Sequence, residues 1–250
     1  MSAPAGRRPH GLRAGVSFLT RVPVRGDVDE RDVAASVAWF PVVGAAIGAA
    51  SGLVYVGASR WWPSWVAAVL AIATGVLITG GFHEDGLGDT ADAAGAASTG
   101  RDPQPVLKDP RMGAFGVIAL ALTLLLRVGA LASLAPHAGF FALVGAHALA
   151  RGTSAAVVVL APSAGAGLGS SYASLTPRWR GIAAWVVGVV VAAACLRLAG
   201  LLAAAVCALV AVGMAAWARR RLGGVSGDVL GAIEQLSEVA TLLAASAAAR

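Results

Sequence analysis

Two stretches, "GVIALALTLLLRVGALASLA" (116–135) and "LAGLLAAAVCALVAVGMAAW" (198–217), set the terms for any fold: each runs twenty residues with at most one charge. As a helix, a run of that length spans the roughly 30 Å hydrocarbon core of a bilayer. Lipid offers the backbone no hydrogen-bond partner, so a helix is the form such a run must take. Comparable runs recur along the chain, and spans are predicted at roughly 33–58, 64–82, 112–135, 138–162, 181–196, 198–217 and 229–247. The fifth is short, and 181–217 admits a different division. The last contains Glu234 and Glu238, which weakens its reading as a span. Only 13% of the 250 residues are charged and the mean hydropathy is +0.76, whereas soluble domains are about a quarter charged. The expectation is an all-α fold, a polytopic membrane protein of about seven transmembrane or membrane-embedded helices, forming one domain over 1–250.

The basic residues give the topology. With the N-terminus in the cytoplasm, Arg7, Arg8, Arg13, Arg21, Arg25 and Arg31 of the tail fall on that side. So do Arg101, Lys108, Arg111, Arg178, Arg180, Arg219, Arg220 and Arg221. The opposite side holds Arg60, Arg197 and Arg250, and Arg127 and Arg151 lie within spans. This is the asymmetry the positive-inside rule requires. The net charge of +6 is therefore topological, and it does not indicate nucleic-acid binding. The basic N-terminal stretch lacks an apolar core long enough for a secretory signal and reads as retained. Cys195 and Cys207 sit in apolar runs without metal-ligand spacing, as small buried side chains do. Gly44, Gly48 and Gly52, four apart, form a smooth ridge suited to close helix packing, although a chain this rich in Gly and Ala produces such spacings by chance. The 163–180 loop is flexible in composition and could close over a ligand. Oligomeric state, a homo-oligomer included, is left open.

Against this background "GGFHEDGLGDTADAAG" (80–95) stands out, with Glu84, Asp85, Asp89 and Asp92 inside nine positions. One carboxylate at mid-bilayer costs about 2.5–3.5 kcal/mol, so four unpaired acids do not belong in a span. They belong at the cytoplasmic membrane edge, in a polar cavity, or around bound cations. On a helix of about 100° per residue, Asp89 lies about 40° and Asp92 about −20° from Asp85, so the three share a face. Like charges so placed repel, and a divalent cation between them reverses the sign. Mg²⁺ suits such ligands, because it takes carboxylate oxygens and is commonly completed by substrate phosphates. Glu84 is off that face and is either a further ligand, through unwinding at Gly80, Gly81 or Gly86, or a group behind the ligands. The alternative is a solvated acidic loop without a role.

Other candidates surround the cluster. In "KDPRMGAFG" (108–116), Asp109 and Pro110 lead into a helix start, and Arg111 beside exposed backbone N–H groups makes a phosphate site. The alternative there is an ordinary interfacial loop. Arg151 and Arg127 face either a cavity or an acidic partner, or else snorkel toward an interface. His83 is a candidate ligand, base or phosphate donor, or a solvated histidine; His10, His137 and His147 read as structural. In "RRRLGGVSGDVLGAIEQLSE" (219–238), Asp228 is a helix cap and Glu234 a buried acid, and both could join the acidic cluster from the same membrane face.

Clustered acids, arginines and a membrane edge suggest metal-assisted phosphoryl or nucleotidyl transfer. A cation transporter is the other class; it would place acids near the midplane of paired repeats, and no repeat is found. "GGFHEDGLGDTADA" and "DPRMGAFGVIAL", with "SFLTRVPV", "AWFPVVGAAIG" and "GGVSGDVLGAIEQLSE", resemble the cobalamin synthase (adenosylcobinamide-GDP ribazoletransferase) family, in order from about residue 17 to 240. Ala93 stands where that family's acidic block ends in glycine. The resemblance implies an integral membrane transferase of cobalamin biosynthesis requiring Mg²⁺, in the cell inner membrane. It joins adenosylcobinamide-GDP to α-ribazole or its 5′-phosphate and releases GMP. On this reading Asp85, Asp89 and Asp92, with Glu84, hold metal, and Arg111 and Arg151 grip the diphosphate. An aspartate or His83 takes a proton, and Asp109, Asp228 and Glu234 assist in substrate binding. A CDP-alcohol phosphotransferase is the nearest alternative, but "DGLGDT" lacks the Ala-Arg pair of that family's core.

Overall fold

The computed structural model describes residues 10–164 and 174–250, and its regular elements are helices. Two short helices, α1 (Gly11–Leu19) and α2 (Glu30–Ser36), precede α3 (Phe40–Ala58), which α2 enters through one turn of 3-10 helix. Next come α4 (Ser64–Thr79), α5 (Phe82–Ser98), the short α6 (Pro103–Leu107), α7 (Ala114–Ala132) and α8 (Pro136–Leu160). After the linker follow α9 (Arg178–Leu196), α10 (Leu198–Arg221) and α11 (Gly227–Ala248). Six stretches are long and apolar enough to cross a membrane, and the bent pair α4–α5 is a seventh if it counts as one broken span rather than a re-entrant segment. The chain is thus a multi-pass, all-helical membrane protein, as its apolar runs require. Arg7 and Arg8 of the tail, and residues 165–173 of the 163–180 loop, lie outside the described residues.

α8 is the hub: 78% of its apolar window is buried, against 28% for α7 and 22% for α9. Its closeness to α3 rests on the glycine ridge. A Cβ on Gly44 or Gly48 would meet backbone atoms of His147 or Leu143 at 2.9 Å or less, so only glycine lets the two helices approach this far. At the far end of the bundle the Tyr55 hydroxyl donates to the carbonyl of Leu131 or Leu134, at 2.8 and 2.9 Å, and ties α3 to the end of α7. α7, α9 and α10 present large apolar side chains outward, among them Leu125, Val190 and Leu209, as a lipid-facing surface does.

The predicted span over 64–82 ends early. Gly80 and Gly81 both adopt left-handed backbone (φ 75° and 73°), which side-chain-bearing residues avoid, and the chain turns by 92° between α4 and α5. The acidic stretch is therefore not a loop beyond a completed span. It is a helix wedged between α7 and α11, running antiparallel to each: His83 lies against Gly231 and Gly86 against Asp228, while Gly88 neighbours Leu120 and Asp92 reaches Gly113. The start of α5 thus lies inside the bundle, and its acidic face rises toward the membrane edge where α7 begins.

Candidate active site

Two layers of charge follow from that placement. The outer layer is at the edge. Asp85 is exposed, and Asp89 and Asp228 are partly buried. Asp89 feels the charges of Asp85, Asp228 and Asp92, and Asp228 feels that of Asp85. Among the described residues no arginine, lysine or histidine pairs with Asp85, Asp89 or Asp228. The three form an acidic group without a protein counter-ion, in which one Asp228 oxygen accepts from the Ser226 hydroxyl at 3.3 Å. Mg²⁺ commonly takes carboxylate oxygens and completes its shell with waters and substrate phosphate. Asp228, expected as a cap, leaves that task to Ser226, whose hydroxyl accepts from the Val229 N–H at 3.3 Å.

Asp92 and Glu84, grouped with the metal ligands on helix spacing, have other partners. Both oxygens of Asp92 accept backbone N–H groups at the start of α7, Gly113 at 2.6 Å and Gly116 at 2.9 Å. It caps that helix across 21 residues of sequence, where a carboxylate also favours the helix dipole. The anion site expected at this N-terminus is thus filled by the protein's own carboxylate. Glu84 turns inward to Arg127, 3.4 Å away. Arg111, 88% exposed, holds Asp109 in a two-pronged pair, with Nε to Oδ1 at 3.0 Å and Nη2 to Oδ2 at 2.9 Å. These hydrogen bonds keep the Asp109 carboxyl below the usual carboxylate range. Arg111 and Arg151 are not brought together.

The inner layer is a buried ion cluster joining α5, α7, α8 and α11. Glu238 meets Arg127 at 2.6 Å, Arg151 at 2.9 Å and His147 Nδ1 at 2.5 Å. Arg151 also meets Glu234 at 2.5 Å, a close ion pair not aligned as a hydrogen bond. Arg127 donates to the side-chain amide oxygen of Gln235 at 2.6 Å. His83 is buried, with Nδ1 3.7 Å from Glu234 and beside a cavity of about 60 Å³ walled by Phe18, Phe40 and Phe82. Two glutamates and two arginines at full burial would be prohibitive singly and are tolerable together. This explains how α11 crosses the membrane with Glu234 and Glu238 on board. His147, Glu234 and Glu238 bring metal-type ligand atoms within 4.8 Å of one another. Arg151 Nη1, within 2.9 Å of all three, already occupies the place a cation would take. Arg151 is an internal counter-ion here, 2% exposed, rather than a free phosphate grip.

Sequence reasoning missed the roles of Glu238 and Gln235, while His147, read as structural, is a buried partner of Glu238. The signal was present: two glutamates one turn apart in an apolar run, and one arginine in each of two others, imply mutual neutralisation.

A multi-helix membrane protein with an acidic group at one edge, backed by a neutralised ion cluster, fits the class of integral membrane enzymes that work at a membrane face. The comparisons narrow this class. The family model described as cobalamin-5-phosphate synthase (CobS) matches residues 11–246, and the chain belongs to that family. It is similar to a protein of Bradyrhizobium diazoefficiens named adenosylcobinamide-GDP ribazoletransferase, 40% identical over 94% of this chain and 93% of the relative. Relatives of the same name from Mesorhizobium japonicum (38% identical, 92% of this chain and 90% of the relative) and Leptothrix cholodnii (37%, 91% of each) are similar throughout as well. No solved structure matches the chain.

Proposed function

We propose that this chain catalyses the joining of adenosylcobinamide-GDP to α-ribazole or its 5′-phosphate, with release of GMP, as a Mg²⁺-dependent reaction on the cytoplasmic face of the membrane. Family membership supports the reaction. The observation that supports the metal is the acidic group Asp85, Asp89 and Asp228, whose charges act on one another with no cation of the protein paired to them. Mg²⁺, when bound, would neutralise the diphosphate whose P–O–P bridge is broken. The excess of arginine on the loops of that face supports the cytoplasmic orientation.

The chain's own residues have the remaining tasks. Arg111 can exchange its exposed partner Asp109 for a phosphate oxygen, since both are forked acceptors of a guanidinium. Asp89 takes the proton of the ribazole 3′-hydroxyl as that oxygen bonds to the cobinamide-side phosphorus. The bridging oxygen leaves with GMP. His83, Glu84 and Arg151 hold the start of α5 in place from beneath and so fix the spacing of Asp85 and Asp89 to Asp228. The test is GMP release by purified protein from adenosylcobinamide-GDP plus α-ribazole, with and without Mg²⁺. Release dependent on both substrates and on the metal is expected. Release from adenosylcobinamide-GDP alone would make the chain a hydrolase and sink the reading.

A further inference from the structure

The hairpin of α9 and α10 is a V. At its apex the helices touch: a Cβ on Gly200 would lie 2.8 Å from the Ala193 nitrogen, and Ala192, Ala203, Ala204 and Cys207 pack with Leu149. Toward the other end, the edge that also carries the acidic rim, the arms separate. Ile182 and Trp185 of α9 face Ala208, Val212 and Ala215 of α10 across a groove of about 470 Å³, with the last turns of α8 as its floor. Small residues on one arm make the gap. Its rim is apolar and open sideways, with Leu160 55%, Ile182 47% and Val212 69% exposed, so it faces lipid rather than water. Of the polar side chains lining it, the Thr153 hydroxyl is spent on the Leu149 carbonyl, and Arg219 closes the edge end. No carboxylate among the described residues pairs with Arg219, and the exposed Arg220 and Arg221 follow it.

We propose that this groove is a binding site for an anionic phospholipid, one acyl chain lying between α9 and α10 and the phosphate on Arg219. An apolar slot of this volume exposed in a bilayer is filled by what surrounds it, and the unpaired arginine at the headgroup level selects the charge. Basic pockets between membrane helices take anionic headgroups by this same combination. The site is separate from Asp85, Asp89 and Asp228, and the proposal stands whether or not the transfer reaction does.

The test is native mass spectrometry of the detergent-purified full chain titrated with dioleoylphosphatidylglycerol or dioleoylphosphatidylcholine. The wild type should retain the anionic lipid in preference. Arg219→Gln, an exposed change that leaves packing alone, should cut phosphatidylglycerol retention about fivefold, as expected for one juxtamembrane arginine, and leave phosphatidylcholine unchanged. Ala215→Phe, which fills the groove, should lower retention of both; if that variant does not fold, Arg219→Gln decides alone. Equal retention of the two lipids by the wild type, or phosphatidylglycerol retention unaffected by Arg219→Gln, would overturn the site. Displacement of bound lipid by stoichiometric α-ribazole would also overturn it, by making the groove a substrate pocket.

Discussion

Arg127→Met probes the buried cluster without touching the acidic rim. Arg127 lies on α7, and its guanidinium is the bolt between three helices, with Glu238 at 2.6 Å and Gln235 at 2.6 Å on α11 and Glu84 at 3.4 Å on α5. Methionine keeps much of the volume and removes the charge. Neutral interhelical hydrogen bonds in membranes average only about 0.6 kcal/mol, so their loss alone would be minor. The larger effect is on what stays behind: Glu238 keeps Arg151 as counter-charge, but Arg151 is already shared with Glu234. Stranding a buried charge costs about 3–5 kcal/mol. For a chain of this size that corresponds to a fall in melting temperature on the order of 10 °C. Thermal unfolding in detergent, followed by tryptophan fluorescence, measures it. The double variant Arg127→Met, Glu238→Gln should melt higher than the sum of the single effects requires, because the pair is removed together. Melting of Arg127→Met within about 2 °C of wild type, or strictly additive single effects, would refute the view that these charges neutralise one another.

The other predictions concern the rim and the bend. Asp89→Asn should lower GMP release at least 100-fold, on the order of what removing a proton acceptor costs, while the melting temperature stays put; a large fall in melting would instead make Asp89 structural. Asp92→Ala should behave oppositely at first, losing about 1–2 kcal/mol of stability with its two backbone partners at the start of α7, readable in the same melt. Chelation should abolish release and added Mg²⁺ restore it; activity indifferent to chelator would remove the metal from Asp85, Asp89 and Asp228. Gly81→Ala has open space around its new Cβ but a φ of +73°, so it should cost about 1–2 kcal/mol through the backbone alone.

Span number, the helical class and the family were legible in the chain because they depend on long runs and on in-order motifs, which survive boundary errors of a few residues. The acidic face of α5 was legible for a related reason: a period of 3.6 is local. What escaped was non-local. Nothing in the spacing of Asp85, Asp89 and Asp92 says that Asp92 will spend both oxygens on residues 21 and 24 positions away. From the sequence, Gly80 and Gly81 are only sites of unwinding, since a single chain does not say whether two glycines loosen a helix or turn it. An intramembrane arginine needs an anion, and of the two the sequence allows for Arg151, substrate or acidic partner, Glu234 and Glu238 supply the second from another helix.

The charges of the inner cluster come from residues 84, 127, 151, 234 and 238, so none has its partner nearby in the chain. Biogenesis inherits that order. While the polypeptide is being made, Glu84 precedes Arg127, but Glu238, which meets both arginines, and Glu234, which meets Arg151, arrive only with the final helix. Commitment to the finished bundle thus waits on the last two dozen residues, and a chain terminated after Gly224 should remain protease-sensitive in pulse-chase even though most of its spans have been synthesised. The C-terminal helix acts as the keystone of assembly, set last and holding the others in place.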